Sequence, residues 1–304
     1  MSRNVEELLH CLDVEDLGED RFLAHCEWRA DDHIFGGQVL AQALRAARHT
    51  VGDRPAHAVH ALFLTRGTSS RPLEIAVERL RDGRSFSARR ARVSQGDRLL
   101  FTLQASFHVR EDGYHHQYPM PEAPDPEELP TADEAVEAMR ARFPERSALW
   151  AGIERAIEVR HSVYPAYMGG KPSREPNLAW FRTREKLPDD PALHQSVLAY
   201  ASDISLNDNA YRPHSGPDEP EVHSMASVDH AMWFHAPARA DEWILFHQES
   251  PRAGHARGYA RGSMYTQDGS LIASMGQDSL KTFINLAKYW YFSVGGRRPS
   301  GRNR

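Results

Sequence analysis

Apolar positions along the chain predict two amphipathic helices. The first candidate, at residues 36–47, has apolar residues at the i, i+1, i+4, i+5, i+8 spacing of one helical face: Val39, Leu40, Ala43, Leu44 and Ala47. The second candidate, ALHQSVLAYASD at residues 192–203, shares the tripeptide Val-Leu-Ala with the first. Because an apolar face must pack against another element, we expect two buried helices of similar design.

Strand-like alternation follows the first helix candidate, and a similar order follows the second. Apolar residues recur with a period close to two in two stretches of the first half: Leu73, Ile75, Val77 and Leu80, and then Phe101, Leu103, Ala105 and Phe107. A period of two places such side chains on one face of a sheet. The turn sequences RDGRS, SQGD and TQDGS separate the stretches and favour hairpins. The pattern predicts four strands after each helix.

The chain contains an internal repeat. HALFL begins at His60 and HAMWF begins at His230, which lies 170 residues later. Gln95 and Gln267, which open the matching turn sequences, are 172 residues apart, so a gap of two residues aligns the halves. Two units, each a long helix wrapped by a curved and mainly antiparallel sheet, would bury both apolar faces. We therefore predict an α+β fold of two tandem hotdog domains.

Composition divides the chain into four segments. Residues 111–134 hold five prolines and many acidic residues, which is typical of an exposed linker. The predicted division is an N-terminal hotdog domain at 1–114, a proline-rich linker at 115–148, a C-terminal hotdog domain at 149–290 and a flexible basic tail at 291–304.

Overall composition excludes several classes of protein. A hydrophobic fraction of 40% is that of a globular chain, and a net charge of -5 offers no broad basic surface for nucleic acid. Every apolar run is shorter than the roughly 20 residues of a membrane-spanning helix. The first residues lack the apolar core of a signal peptide, and Cys11 and Cys26 are too few for a disulfide framework. We expect a cytoplasmic protein that binds no nucleic acid and does not span a bilayer.

Motifs of covalent and metal-dependent hydrolases are missing. GRSFS at residues 83–87 lacks the last glycine of G-x-S-x-G, and neither H-E-x-x-H nor a P-loop occurs. His115 and His116 lie in the proline-rich linker, where a solvated pair is the ordinary interpretation. We therefore expect neither a covalent serine intermediate nor a bound metal.

Five segments carry a resemblance to a known family. They are HIFGGQVLAQALRAA at 33–47, ASFHVREDGYHHQYPMPEAPDPEEL at 105–129, LAYASD at 198–203, SVDHAMWFH at 227–235 and ARGYARGSMYTQDGSLIASMGQ at 256–277. Together they resemble the acyl-CoA thioesterase II family of fused double-hotdog hydrolases. The resemblance implies that the protein hydrolyses fatty acyl-CoA to a free fatty acid and CoA. It also implies a homo-oligomer and no cofactor, since CoA is part of the substrate.

The same resemblance implies roles for three residues. In this family a water molecule, held by an aspartate, a Thr or Ser hydroxyl and a glutamine, attacks the thioester carbonyl directly. Matching the motifs places these roles on Asp203, Ser227 and Gln277. Family members commonly have threonine where this chain has Ser227, and serine lacks the methyl group that stiffens χ1. We expect the hydrogen bonds to survive with looser positioning of the hydroxyl.

The residues themselves are compatible with this chemistry. Asp203 lies near the end of a predicted helix, where the helix dipole disfavours negative charge and makes a carboxylate more basic. Ser227 and Gln277 lie in predicted strands between apolar residues, so we expect each to be partly buried and to need a partner. Ordinary structural roles also remain open, with Asp203 capping the next turn and the other two bonding to local backbone.

The first half is expected to serve substrate binding. Arg45 occupies the position that matches Asp203, so we predict a single catalytic set, in the C-terminal copy. Gly36 and Gly37 open the first helix, and their N–H groups can face a thioester carbonyl or a phosphate. Close packing of the helix on the sheet explains these glycines equally well.

Two other functions remain open. A hydratase of the same fold, acting on enoyl-CoA, would use an Asp/His pair, for which Asp229 and His230 are the candidates. Adjacent residues of a strand point to opposite faces, which opposes joint action. A noncatalytic acyl-CoA-binding sensor is the second alternative, because a fold does not determine function. The presence of all three residues of the predicted catalytic set favours the enzyme.

Overall fold

One continuous antiparallel sheet organises the protein. The computed structural model describes residues 3–27, 32–140, 155–165, 170–215 and 222–283. Thirteen strands of these residues form a single sheet, and the paired strands run antiparallel. The prediction of an α+β fold with a mainly antiparallel sheet is confirmed.

The elements follow one another along the chain in two series. Up to residue 140 they are α1 (Val5–Leu12), β1 (Val14–Gly18), β2 (Arg21–Ala24), α2 (Gly36–His49), β3 (Ala56–Phe63), β4 (Leu73–Asp82), β5 (Phe86–Gln95), β6 (Arg98–His108) and α3 (Ala132–Arg140). After it they are β7 (Ile157–His161), β8 (Asn177–Thr183), α4 (Pro191–Ala201), α5 (Asp208–Tyr211), β9 (Val222–Ser227), β10 (Asp229–Phe234), β11 (Ile244–Gly254), β12 (Arg257–Thr266) and β13 (Leu271–Phe283).

The strand order has the same form on both sides of its centre. It runs β1-β2-β4-β5-β6-β3-β10-β13-β12-β11-β8-β7, and β9 pairs with β13. In the central pair, β3 and β10, Ala231 lies opposite His60 and His230 lies opposite Ala61. The repeated His-Ala segments of the sequence are therefore direct neighbours, and hydrogen bonds between them join the two halves into one sheet.

The two helices predicted from apolar spacing pack against each other in antiparallel directions. Arg45, near the end of α2, lies 3.4 Å from the Asp190 carboxylate, which precedes α4. The N–H of Ala192 donates to the Asp190 side chain, and Pro191 fits the first turn, so local sequence determines where α4 begins. At the opposite end of the pair, the first turn of α2 faces the last turn of α4.

Helix α2 is buried on nearly all sides, which the single apolar face did not predict. The five predicted face residues are buried, and so are Gln38 and Gln42, which are 0% exposed. The Gln42 amide donates to the backbone oxygens of Cys11 and His25, both at 2.7 Å. The chain around α1 and β2 therefore covers the face of α2 that would otherwise meet water. The two bonds satisfy the Gln42 amide, which this covering buries.

Strand alternation was predicted correctly in β6 and incorrectly at one position in β4. Phe101, Leu103, Ala105 and Phe107 are all buried. Leu80, by contrast, is 42% exposed. Leu80 lies three residues after Val77, so regular alternation already places it on the outer face, beside a register shift between Arg79 and Arg81.

The described part of the proline-rich linker crosses the outer face of the second half of the sheet. Met120, Ala123 and Leu129 pack there against a cluster of buried side chains on β8, β11 and β12 and just before β11: Trp180, Trp243, Leu245 and Tyr265. Trp180 also donates to the Pro124 oxygen at 2.9 Å. The linker runs over the surface, as expected, but it is also bonded to the sheet. The predicted basic tail at 291–304 lies outside the described residues.

Helices α2 and α4 approach each other closely at Gly37. A Cβ atom at this position would collide with the backbone oxygen of Tyr200 and with the ring of Phe35. A backbone oxygen cannot move away as the end of a flexible side chain can, so the close approach requires glycine here.

We predict that Gly37→Ala destabilises the protein. Alanine gains about 1 kcal/mol of helix propensity. Overpacking against fixed backbone costs about 1 to 3 kcal/mol or more, so the steric term wins. Urea denaturation should show a lower midpoint. Gly113→Ala is the matched control, because nothing lies within 4 Å of its added Cβ; equal stability of the two variants would contradict the close approach.

Candidate active site

Asp203 lies just beyond the end of α4, in a loop that the protein holds by several hydrogen bonds. Ser205 in this loop has a positive φ of 61°, which is unusual for a residue other than glycine. Gln248 on β11 donates to the Ser205 hydroxyl at 3.0 Å and accepts from the Asn209 amide at 2.7 Å. Because Gln248 is 0% exposed, water does not compete for these bonds. They attach the loop that carries Asp203 to strand β11.

The structure brings the three predicted catalytic residues together. The Gln277 amide donates to Asp203 Oδ1 at 2.8 Å and to Ser227 Oγ at 2.6 Å. The Ser227 hydroxyl lies 3.4 Å from the same Asp203 oxygen. Ser227 ends β9 and Gln277 lies within β13, and the pairing of these two strands brings both side chains to the loop after α4. Their partners are distant side chains, so the local-backbone interpretation is wrong.

Gly36 and Gly37 face the Asp203 carboxylate. The Gly37 N–H donates to Asp203 Oδ2 at 3.0 Å. A Cβ at Gly36 would lie 2.6 Å from that same oxygen, so the absent side chain makes room for the carboxylate. The predicted location of the site within the C-terminal copy alone is therefore incomplete. The first half supplies a hydrogen bond to Asp203, and the cluster lies where the halves meet.

Burial raises the pKa of the Asp203 carboxyl above its ordinary value. The charge of His230 and the hydrogen bonds from Gln277, Gly37 and Ser227 act in the opposite direction and limit the rise. The sequence predicted a more basic carboxylate but attributed it to the dipole of its own helix. The largest cause is loss of solvent, and Asp203 also accepts a bond from the N-terminus of α2, which favours its negative form.

From the sequence, His230 was placed only in an alternative hydratase pair, and Asn207 was missed. His230 lies 2.8 Å from Gln277 Oε1 through Nδ1, and the amide of Asn207 donates to Ser227 Oγ at 3.0 Å. His230 begins the repeated His-Ala motif, which is the signal that could have identified it. Asn207 stands in a polar stretch and gives no comparable signal.

Asp229 and His230 do not act on a common point. Asp229 accepts from the backbone N–H of Asp278 at 2.7 Å, whereas the His230 ring contacts Gln277 and Ser202. Their side chains leave opposite faces of β10, as strand geometry predicts. This arrangement gives no support to the Asp/His pair that a hydratase would use.

The cluster offers a carboxylate base beside a hydroxyl and an amide. Both Asp203 oxygens accept hydrogen bonds, so the carboxylate orientation is fixed.

Within the described ranges, no three His, Cys, Asp or Glu side chains gather in a way that would hold a metal ion. None of the described helices combines the length and apolarity needed to cross a membrane. The chemistry available is general-base activation of a small molecule, such as water, held between these groups.

Models of known protein families match both halves of the chain. The acyl-CoA thioesterase family model matches residues 150–280, and the model of the acyl-CoA thioesterase N-terminal domain matches residues 24–108. The chain is 36% identical to human acyl-coenzyme A thioesterase 8, covering 88% of this chain and 86% of that protein.

Solved structures show the same relationship. The crystal structure of acyl-CoA thioesterase II TesB2 from Mycobacterium marinum is 35% identical and superposes with a TM-score of 0.74, covering 91% of this chain and 98% of that one. A protein of unknown function with a hotdog fold from Alicyclobacillus acidocaldarius is 20% identical, with a TM-score of 0.71, covering 90% of this chain and 97% of that one, and it shows the fold alone. On these matches, the chain belongs to the acyl-CoA thioesterase II family.

Proposed function

We propose that the protein hydrolyses fatty acyl-CoA to a free fatty acid and CoA, with Asp203 as the general base that activates water. The observation that carries this proposal is the cluster of Asp203, Ser227 and Gln277 within hydrogen-bonding distance of one another. Family membership supports the reaction, and the cluster supports these residues as its catalytic groups.

The proposed reaction needs no enzyme-linked intermediate. A water molecule bound beside Asp203 gives a proton to the carboxylate while its oxygen attacks the thioester carbon. The tetrahedral intermediate then breaks its carbon–sulfur bond, and the proton held by Asp203 passes to the departing CoA thiolate. Ser227 orients the water, and Gln277 holds Asp203 and Ser227 in place. Since the Gly37 N–H is bonded to Asp203, we assign the Gly36 N–H, at the same helix start, to the thioester oxygen.

Ser227 is a poor candidate for a nucleophile. Its oxygen accepts hydrogen bonds from both the Gln277 amide and the Asn207 amide, at 2.6 and 3.0 Å. Two donors withdraw electron density from the lone pairs that an attack would use. The same two bonds hold the hydroxyl in place, which offsets the loss of the threonine methyl. These contacts favour water as the attacking group.

The finer architecture is part of the same proposal. We assign the six strands from β1 to β6 to one hotdog domain at residues 1–114 and the remaining strands to a second at 149–290, linked by 115–148. The mirrored strand order supports this tandem arrangement. A homo-oligomer in the cytoplasm that needs no cofactor completes the proposal.

Two predictions distinguish this enzyme from an acyl-CoA-binding sensor. The first is that purified protein releases CoA thiol from acyl-CoA esters, and that Asp203→Asn lowers turnover by roughly 10²- to 10⁴-fold, as expected for loss of a general base. Substrate affinity should change little, because transition-state stabilisation is what is lost. Thiol release is followed with a chromogenic thiol reagent across several chain lengths.

The control for that measurement is Asp16→Asn. Asp16 is exposed and only caps a turn through the Gly18 N–H, a bond that asparagine can also accept. Binding of acyl-CoA without thiol release at any chain length would favour the sensor. Unchanged turnover in Asp203→Asn would remove Asp203 from the mechanism.

The second prediction concerns pH. Hydrolysis needs ionised Asp203, so kcat/KM should fall as the pH drops through its pKa in the free enzyme. Because burial raises that pKa, the fall should begin at a higher pH than the ordinary aspartate value of 3.8 would give. A pH profile measures this limb. The residual activity of Asp203→Asn should lack this acid limb. His230→Asn, which removes the other titrating group of the cluster, should still show an acid limb. An acid limb at or below 3.8 would contradict the assignment.

A further inference from the structure

We propose that His230 is a positioning residue that fixes the orientation of the Gln277 amide. This inference rests on the proposed function, because it concerns how the cluster is kept ready for hydrolysis. The carrying observations are two contacts of one buried ring: Nδ1 to Gln277 Oε1 at 2.8 Å and Nε2 to Ser202 Oγ at 2.9 Å.

The first step counts the hydrogens of Gln277. Its amide nitrogen has two, and the site uses both, one toward Asp203 Oδ1 and one toward Ser227 Oγ. If the amide were flipped, its oxygen would face the Asp203 carboxylate, and two acceptors would meet without a hydrogen between them. The site therefore depends on a contact that keeps Gln277 Oε1 pointing away from Asp203 and Ser227.

The second step identifies that feature. An amide oxygen can only accept, so the His230 nitrogen that faces it must carry a hydrogen, and this assigns the Nδ1–H form. A flipped amide would present its NH₂ to that N–H group and lose this bond as well. The donor on His230 and the acceptor on Asp203 thus favour the same orientation from opposite sides of the amide.

The third step shows that the arrangement is independent of the charge of His230. The Ser202 hydroxyl lies 2.9 Å from Nε2 and also 2.8 Å from the Ala199 backbone oxygen. With a neutral ring, Ser202 donates to Nε2. With a charged ring, Nε2–H donates to Ser202, which then donates to Ala199. Nδ1 carries a hydrogen in both states, so Gln277 always meets a donor.

Burial makes the hydrogen bond between His230 and Gln277 difficult to replace. His230 is 1% exposed and Gln277 is 0% exposed, so water cannot replace the ring as a donor. An unsatisfied buried amide oxygen is costly, and the cost is relieved if the amide turns. His230 is itself held by the central strand pair, where it lies opposite Ala61. The backbone that joins the two halves therefore positions the ring that positions the amide.

The test is a double-mutant cycle with His230→Leu and Gln277→Ala. In the otherwise native protein, His230→Leu should lower kcat by roughly 10- to 100-fold, by analogy with the loss of groups that orient metal ligands. KM should change little, since the loss is in the transition state. In the Gln277→Ala background the same substitution should cause almost no further loss, because its target is gone.

A conservative variant separates positioning from packing. The side-chain nitrogen of asparagine reaches the place of Nδ1, so His230→Asn should recover most of the kcat lost in His230→Leu. If His230 had only a structural role, His230→Leu and His230→Asn would lower kcat equally. The fold-loss from His230→Leu would then also multiply with the fold-loss from Gln277→Ala in the double mutant. Either result would overturn the inference, and so would wild-type turnover in His230→Leu.

One readout does not depend on activity. Nitrogen NMR of the labelled protein should show His230 with a hydrogen on Nδ1 at neutral pH, and a ring protonated only on Nε2 would refute the inference even if His230→Leu fails to fold. Failure of the underlying function looks different. Full turnover in Asp203→Asn would remove the base from the mechanism, whereas the NMR result and the cycle report on the His230–Gln277 contact alone.

Discussion

A carboxylate has to remain ionisable in a place from which most water has been removed, and the structure around the site follows from that constraint. Burial disfavours the charge of Asp203, and the protein offsets part of this cost with an amide from Gln277, a backbone N–H from Gly37 and a hydroxyl from Ser227. Each donor comes from a different element. Helix α2, strand β9 and strand β13 must therefore all meet the end of α4.

The meeting of these elements explains features that are otherwise unrelated. The glycines at the start of α2 admit the carboxylate and the last turn of α4, and a side chain at either position would push them apart. The positive φ of Ser205 and the buried amide of Gln248 hold the loop after α4 in an unusual path. Local rules are thus broken around Asp203, which is common at functional sites.

Sequence reasoning reached much of this arrangement and failed for identifiable reasons. Helix bounds came within two residues because caps and apolar spacing are local signals, as at Asp190 and Pro191. The buried residues of β6 followed from alternation, whereas Leu80, three residues after Val77, was out of step with the period of two and is exposed. The meeting of Asp203, Ser227 and Gln277 was anticipated through family resemblance. Gly37 and Asn207 could not be assigned as partners, because their roles depend on contacts across 166 and 20 residues of chain.

The hydrogen bond from Gly37 to Asp203 also bears on the order in which the protein is made. Residues of the first half leave the ribosome well before α4, and domains generally fold as they emerge. The donor at the start of α2 therefore precedes its acceptor in the chain, and the strands β9 and β13 that complete the cluster come later still. Because Gln277 lies in β13, the last described strand, a chain that ends before β13 lacks the amide that joins Asp203 to Ser227 and cannot form the cluster.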